Sequence, residues 1–158
     1  MHRVPTMAAC FLVMMMFWVG HDRWSRRFGL DTAGHLMGFL IGGAGGVFSL
    51  KRTDDFDVSD CAATPDGKLL VLERRFSWAG GLAMRIRSVP FAMIKPGALV
   101  DGPELIFADM ASQVDNMEGL SVHCDASGAV VLTLISDDNF SPLQRTLLLQ
   151  FTLGSETK

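Results

Sequence analysis

From Gly42 onward the chain alternates short apolar runs with turn residues, and each run has the length of a strand. Residues 47–52, 58–63, 68–73, 84–89, 104–108, 119–123, 130–136 and 146–153 read as eight strands. Pro65-Asp66-Gly67 forms a tight turn between two of them, and Asp125-Ala126-Ser127-Gly128 repeats the role later. Lys95-Pro96-Gly97 and Asp101-Gly102-Pro103 mark a longer connection. No apolar repeat of helical period separates the strands, so a parallel sheet built from strand–helix–strand units is disfavoured. The run Gly42-Gly43-Ala44-Gly45-Gly46 breaks any helix that reaches it.

The pattern repeats. Asp60-Cys61-Ala62-Ala63, a turn, then Leu69 to Ser77 parallels Glu118-Gly119-Leu120-Ser121, a turn, then Val130 to Ser141. In each half an acidic residue opens one strand, a glycine turn reverses the chain, and an acidic group followed by Phe-Ser closes the next. Meandering antiparallel units repeated along a chain are the sequence form of propeller blades. About two blades are visible, fewer than the four or so that close a ring. The expected fold is therefore mainly β, a partial β-propeller, preceded by an apolar helical segment.

That segment has its own texture. Residues 7–19 are an unbroken apolar run, too short for a comfortable membrane span but the length of a signal-peptide core. Trp18 and Trp24, with Arg26 and Arg27, resemble interfacial anchors. No clean small-residue cleavage site follows, which favours an uncleaved anchor or helix. Ser25-Arg26-Arg27-Phe28-Gly29-Leu30 has the form of a twin-arginine export signal; the plainer reading is a solvated basic turn. Two regions follow: residues 1–41 as an apolar anchor or signal-like helical region, and residues 42–158 as the propeller portion. The location implied is the cell envelope, periplasmic or membrane-anchored.

Charge sharpens this division. Residues 1–50 hold four Arg against two Asp, while residues 51–158 hold ten basic and fifteen acidic side chains. The overall net charge of −3 gives no reason to expect nucleic acid as a partner. A hydrophobic content of 49% supports a packed core. Of the three cysteines, Cys10 lies in the apolar run, so a bridge is open only to Cys61 and Cys124; both read more simply as small buried strand residues. No Cys/His spacing suits zinc, no G-x-S-x-G is present, and no histidine has an evident partner.

Three ordered segments carry a resemblance. They are Phe56 to Ser77, Asp115-Asn116-Met117-Glu118-Gly119-Leu120, and Leu134 to Leu148, the last containing Ser136-Asp137-Asp138-Asn139-Phe140-Ser141. Together they resemble the phytase-like propeller family of bacteria, also described as having esterase-like activity of phytase. The resemblance implies the C-terminal end of a larger, commonly exported propeller with phosphoester or ester hydrolase chemistry. The Met-rich apolar segment stands where upstream blades are expected.

Phosphoester hydrolysis needs charge on the phosphoryl oxygens neutralised and a water activated. Metal ions held by carboxylates supply both, and a hard cation such as Ca²⁺ wants several carboxylate or carbonyl oxygens from different strands. Glu118, Asp137 and Arg74 are the expected catalytic set, Arg74 offering a planar fork to phosphate or a partner to Glu118. Asp60, Glu73, Asp138 and Asn139 are the expected metal ligands, with Asn116 a further neutral donor. The competing reading is structural: Asp66 and Asp125 cap turns, and Glu73-Arg74 beside Asp137-Asp138 form an ion-pair network. Met84-Arg85-Ile86-Arg87 alternates as a half-exposed strand does, so its arginines read as a solvated face. Two functions from different classes result. One is a metal-assisted hydrolase of small phosphoesters. The other is a non-catalytic propeller remnant, membrane-associated through residues 7–19, that pairs with itself or a partner through open strand edges. A chain begun at a mis-assigned start, and so a gene fragment, is a third possibility.

Overall fold

A computed structural model describes residues 29–41, 45–78, 80–112 and 114–154. The chain is mainly β. Ten strands are present among these residues: β1 (Leu36–Leu40), β2 (Gly46–Leu50), β3 (Asp57–Ala63), β4 (Lys68–Ser77), β5 (Gly81–Pro90), β6 (Leu99–Val100), β7 (Glu104–Asp109), β8 (Met117–Cys124), β9 (Val130–Ser136) and β10 (Leu148–Leu153). They form three open sheets, ordered β1-β2-β6, β3-β4-β5-β7 and β10-β9-β8. Two short 3-10 turns, Phe91–Met93 and Met110–Ser112, complete the regular structure, and no α-helix occurs among the described residues.

All eight expected strands are found, and two more were not expected. β1 lies inside the region read as helical. It pairs with β2 across the glycine-rich run, from Leu36 opposite Leu50 to Leu40 opposite Gly46. Gly38 makes this pairing possible: a Cβ there would meet the Phe48 ring at 2.2 Å. β6 is two residues long and pairs in parallel with the end of β2, Ser49 opposite Leu99 and Leu50 opposite Val100. The apolar run at residues 7–19 and most of the twin-arginine segment lie outside the described residues. Among those described, no helix is long and apolar enough to cross a membrane.

The repeat read from the sequence is a repeat of local structure, and a third copy exists. In Thr64–Lys68 and in Asp125–Ala129, the first residue's N–H bonds the fifth residue's carbonyl, and the fourth residue, a glycine, bonds back to the first. The turn at Asp31–His35 makes the same bonds, Asp31 N–H to the His35 carbonyl and Gly34 N–H to the Asp31 carbonyl. Gly34, Gly67 and Gly128 take φ of +83°, +84° and +85°, a region costly to any residue with a Cβ. The first side chain caps each turn: the Thr64 hydroxyl accepts from Lys68 N–H, and the Asp125 and Asp31 carboxylates accept from Ala129 and His35 N–H. The expected capping role of Asp125 holds. Asp66 instead accepts from the Thr64 hydroxyl and pairs with Lys68 at 2.8 Å.

The four-stranded sheet is covered on both faces. One face contributes Val58, Leu69, Val71 and Val89, which pack with Leu36, Phe48, Leu50 and Val100 of the first sheet. The other contributes Leu70, Leu72, Met84 and Ile86, which pack with Met117, Leu120, Leu132 and Leu134 of the third. This explains why β4 and β5 are apolar on both sides: Leu69 to Glu73 and Ala83 to Val89 are all buried. Removing these side chains from water is the main term holding the sheets together.

Candidate functional site

The hairpin turns Thr64–Lys68 and Asp125–Ala129 lie at one end of the sheets; the acidic clusters lie at the other, where the Asp31–His35 turn, beside Arg52, is also found. β4 arrives at that end with Glu73 and Arg74, whose side chains point to opposite faces because successive strand residues alternate. β8 begins there as well, with a bulge at Glu118 between Met117, opposite Ser136, and Gly119, opposite Ile135. β3 runs beside β8, and its own bulge at Ser59 lies between Val58 and Asp60. Bulges re-aim side chains next to sites.

On the face toward the third sheet, Arg74, Asn116 and Glu118 meet. Arg74 Nη1 donates to Glu118 Oε1 at 3.0 Å and also to Asn116 Oδ1; Asn116 Nδ2 donates to the same Glu118 oxygen at 2.5 Å. Only one guanidinium nitrogen and one carboxylate oxygen are used, so Nε and Nη2 of Arg74 and Oε2 of Glu118 take no part in these bonds. The cluster is open to solvent, with about a fifth of the Arg74 side chain and a third of Glu118 exposed. Asp60 stands beside it, its carboxylate accepting from Leu120 N–H at 2.7 Å and Cys61 N–H at 2.8 Å.

Asp115 is buried behind the cluster. It accepts from the main-chain N–H groups of Asn116 at 2.8 Å and Arg145 at 2.9 Å, tying the loop before β8 to the loop after β9. Asp137 reaches the same place through its main chain, its N–H approaching the Asn116 carbonyl at 3.4 Å. Its carboxylate accepts from Asn139 N–H, and that of Asp138 from Phe140 N–H. Both therefore cap their own turn. The Asn139 side chain bonds the Asp137 carbonyl and Gln144.

Glu73 is elsewhere. It is fully buried on the face toward the first sheet, where Arg85 Nε and Arg87 Nε donate to its Oε2 at 2.7 Å each and Arg87 Nη2 donates to Oε1 at 2.6 Å. Arg85 continues to the Thr53 carbonyl and hydroxyl, and Arg87 to the Lys51 carbonyl and Asp101. The solvated face expected for Arg85 and Arg87 is thus corrected: both are buried. The cause is Glu73, which lies directly opposite Arg85 in the β4–β5 pairing and neutralises a charge that would otherwise have to face water. Burial opposes the charge on Arg87, but the Glu73 and Asp101 contacts outweigh it and hold its pKa above the ordinary value.

The four residues expected to ligate a metal are not brought together. Glu73 is held by guanidinium groups on the other face, Asp60 accepts two backbone N–H bonds beside β8, and Asp138 and Asn139 lie in the loop after β9, where Asp138 accepts from Phe140 N–H. Among the described residues, no three His, Cys, Asp or Glu side chains converge as a metal-binding group. Arg74 already supplies positive charge against Glu118. As placed, the donor set does not fit a calcium cage.

Among the described residues, both cysteines, Cys61 and Cys124, are free. Cys61 is half-buried, and burial, with the Asp60 charge adding, pushes its thiol up to about 11. Cys124 is exposed beside its turn, contrary to the expectation of a buried residue.

Asn116, expected only as a further neutral donor, joins both Arg74 and Glu118, and Asp115, for which the sequence reading gave no role, ties two loops together. Their signal was the pair itself, two side-chain acceptors directly before a strand that opens with Glu118. Neither curated proteins nor solved structures give a match. A family model described as "Phytase-like: Esterase-like activity of phytase" matches residues 28–140, taking in β1 to β9 and every residue of the Arg74 cluster. The chain belongs to the phytase-like family.

Proposed function

We propose that the chain hydrolyses phosphate esters at the Arg74–Asn116–Glu118 cluster, and that its three sheets are consecutive blades of a β-propeller. The observation that carries this reading is the half-used guanidinium. Glu118 and Asn116 hold Arg74 through Nη1 alone, which leaves Nε and Nη2 as a two-pronged donor matched to two phosphoryl oxygens. Glu118 Oε2 then takes a proton from water. The water oxygen bonds to phosphorus, the bond from phosphorus to the ester oxygen breaks, and the alcohol leaves with the electron pair and is protonated by solvent. Asp137 borders the site and positions Asn116 through the main chain. The matching turns at Thr64 and Asp125 support the blade reading, one joining β3 to β4 and the other β8 to β9 at the same end of neighbouring sheets.

The test uses the purified full chain and p-nitrophenyl phosphate. Glu118→Gln and Arg74→Gln each lower kcat/KM by about two orders of magnitude and leave thermal unfolding unchanged. Absence of turnover by the parent protein, or a Glu118→Gln variant as active as the parent, overturns the reading.

A second reading is favoured by the open edges. Among the described residues β7 pairs only with β5 and β10 only with β9, and Leu105, Phe107, Leu148 and Phe151 are exposed on these two strands. A non-catalytic, membrane-associated chain that pairs through these edges elutes as a concentration-dependent dimer on size exclusion; a clean monomer refutes it. The apolar run at residues 7–19 supports a place at the cell envelope in either case.

A further inference from the structure

Large apolar side chains crowd the end of the sheets that carries Arg74. β4 ends and β5 begins there, so Phe76 and Trp78 stand at the hairpin tip, 97% of Trp78 being in solvent. Ala83 pairs with Asp109, which brings Met110 to the same end, against Gly81. Ser136 pairs with Met117, so the loop after β9 places Phe140 and Leu143 there too, both almost wholly exposed. The hairpin turns at the opposite end, Thr64–Lys68 and Asp125–Ala129, are polar. Soluble proteins rarely gather exposed aromatic side chains without a ligand for them.

Two details tie this rim to the cluster. Phe76 follows Arg74 by two residues on β4 and so shares its face; its ring is edge-on to Trp78, with centroids 5.5 Å apart and planes at 75°. Phe140 sits at φ +55° immediately after Asn139 at +49°, in a turn closed by Ser141 N–H to the Asp138 carbonyl. A phenylalanine in the left-handed region with no burial to compensate it is strained and unsupported by packing, as expected of a side chain kept for contact with something else.

We infer that the site takes phosphate monoesters of aromatic alcohols, the leaving ring lying against Phe76, Trp78 and Phe140 while Arg74 holds the phosphoryl group. This rests on the hydrolase reading and names its substrate class. In the reaction the water oxygen bonds to phosphorus, the bond from phosphorus to the aryl oxygen breaks, and the phenolate leaves with the electron pair and takes up a proton.

The experiment measures binding, so that it separates from turnover. Calorimetric titration of the full chain compares naphthylmethylphosphonate with methylphosphonate, neither of which can be hydrolysed at the phosphorus–carbon bond. The aromatic ligand binds about tenfold tighter, the order expected of one stacked ring. Trp78→Ala together with Phe140→Ala removes the difference without altering thermal unfolding, and Arg74→Gln removes binding of both ligands. Equal or undetectable binding of the two phosphonates, or a preference that survives in the double variant, overturns the inference. Discriminating binding without turnover of any ester leaves the inference standing and defeats the hydrolase reading alone.

Discussion

Replacing Glu73 with Gln tests the reading of the buried ion group as structural. The carboxylate is inaccessible to solvent and accepts three guanidinium N–H bonds of 2.6 to 2.7 Å. Glutamine keeps one acceptor oxygen, loses the charge, and turns an NH₂ toward a guanidinium donor. The carboxylates then left to Arg85 and Arg87 among the described residues are Asp54 at 3.4 Å and Asp101 at 2.8 Å, both substantially exposed and hence weakly compensating. Leaving a buried charge unpaired costs about 3–5 kcal/mol, a large part of the total stability of a typical domain. With a urea m-value of about 2 kcal/mol/M, the unfolding midpoint falls by about 2 M. Replacing all three residues with Leu or Met recovers most of that loss, because it is the unpaired charge that is costly. A drop below about 0.5 M for Glu73→Gln refutes the reasoning and returns Glu73 to the list of groups free to bind something else.

Two further outcomes follow from the turns. Gly67→Ala and Gly128→Ala each lower stability by about 1 kcal/mol through backbone strain alone, since nothing lies within 4 Å of either added Cβ; unequal losses in thermal unfolding contradict their equivalence. Acid weakens the same hairpins. The Ser127 hydroxyl and Ala129 N–H hold Asp125 below the ordinary carboxylate range, as the Ser49 hydroxyl and His35 N–H do for Asp31, and Lys68 and Thr64 for Asp66. A carboxylate with a lowered folded pKa contributes stability fully above its unfolded value, about 4. That contribution is lost as pH falls through the lower folded value. Melting temperature therefore declines below about pH 4, and Asp125→Asn flattens the decline; a melting temperature that does not change below that pH is the opposing result.

The strands were legible because most carry apolar runs bounded by turn residues. β1 was not: Gly38 interrupts Leu36 to Leu40, and the stretch joins an apolar region that looks like an anchor. β6 has two residues and no pattern at all. Of the site, Arg74, Glu118 and Asn116 were recognisable from the two acidic motifs. Glu73 was misplaced because a strand's two faces were treated as one end. The hairpin itself held the remedy, since counting back from Ser77 opposite Gly81 sets Glu73 opposite Arg85. Alternation shows that Arg85 and Arg87 share a face, but not that a carboxylate on the neighbouring strand makes burial of that face tolerable.

The excursion of β6 has a consequence for assembly. After β5 the chain leaves its own sheet, lends Leu99 and Val100 to the one before, and returns to lay down β7 on the far side of β5. The earliest sheet therefore gains its outermost strand only after some fifty later residues exist, by which time the middle sheet is nearly built. Neither is an autonomous module, and the two are stitched into a single cooperative unit by a thread two residues wide.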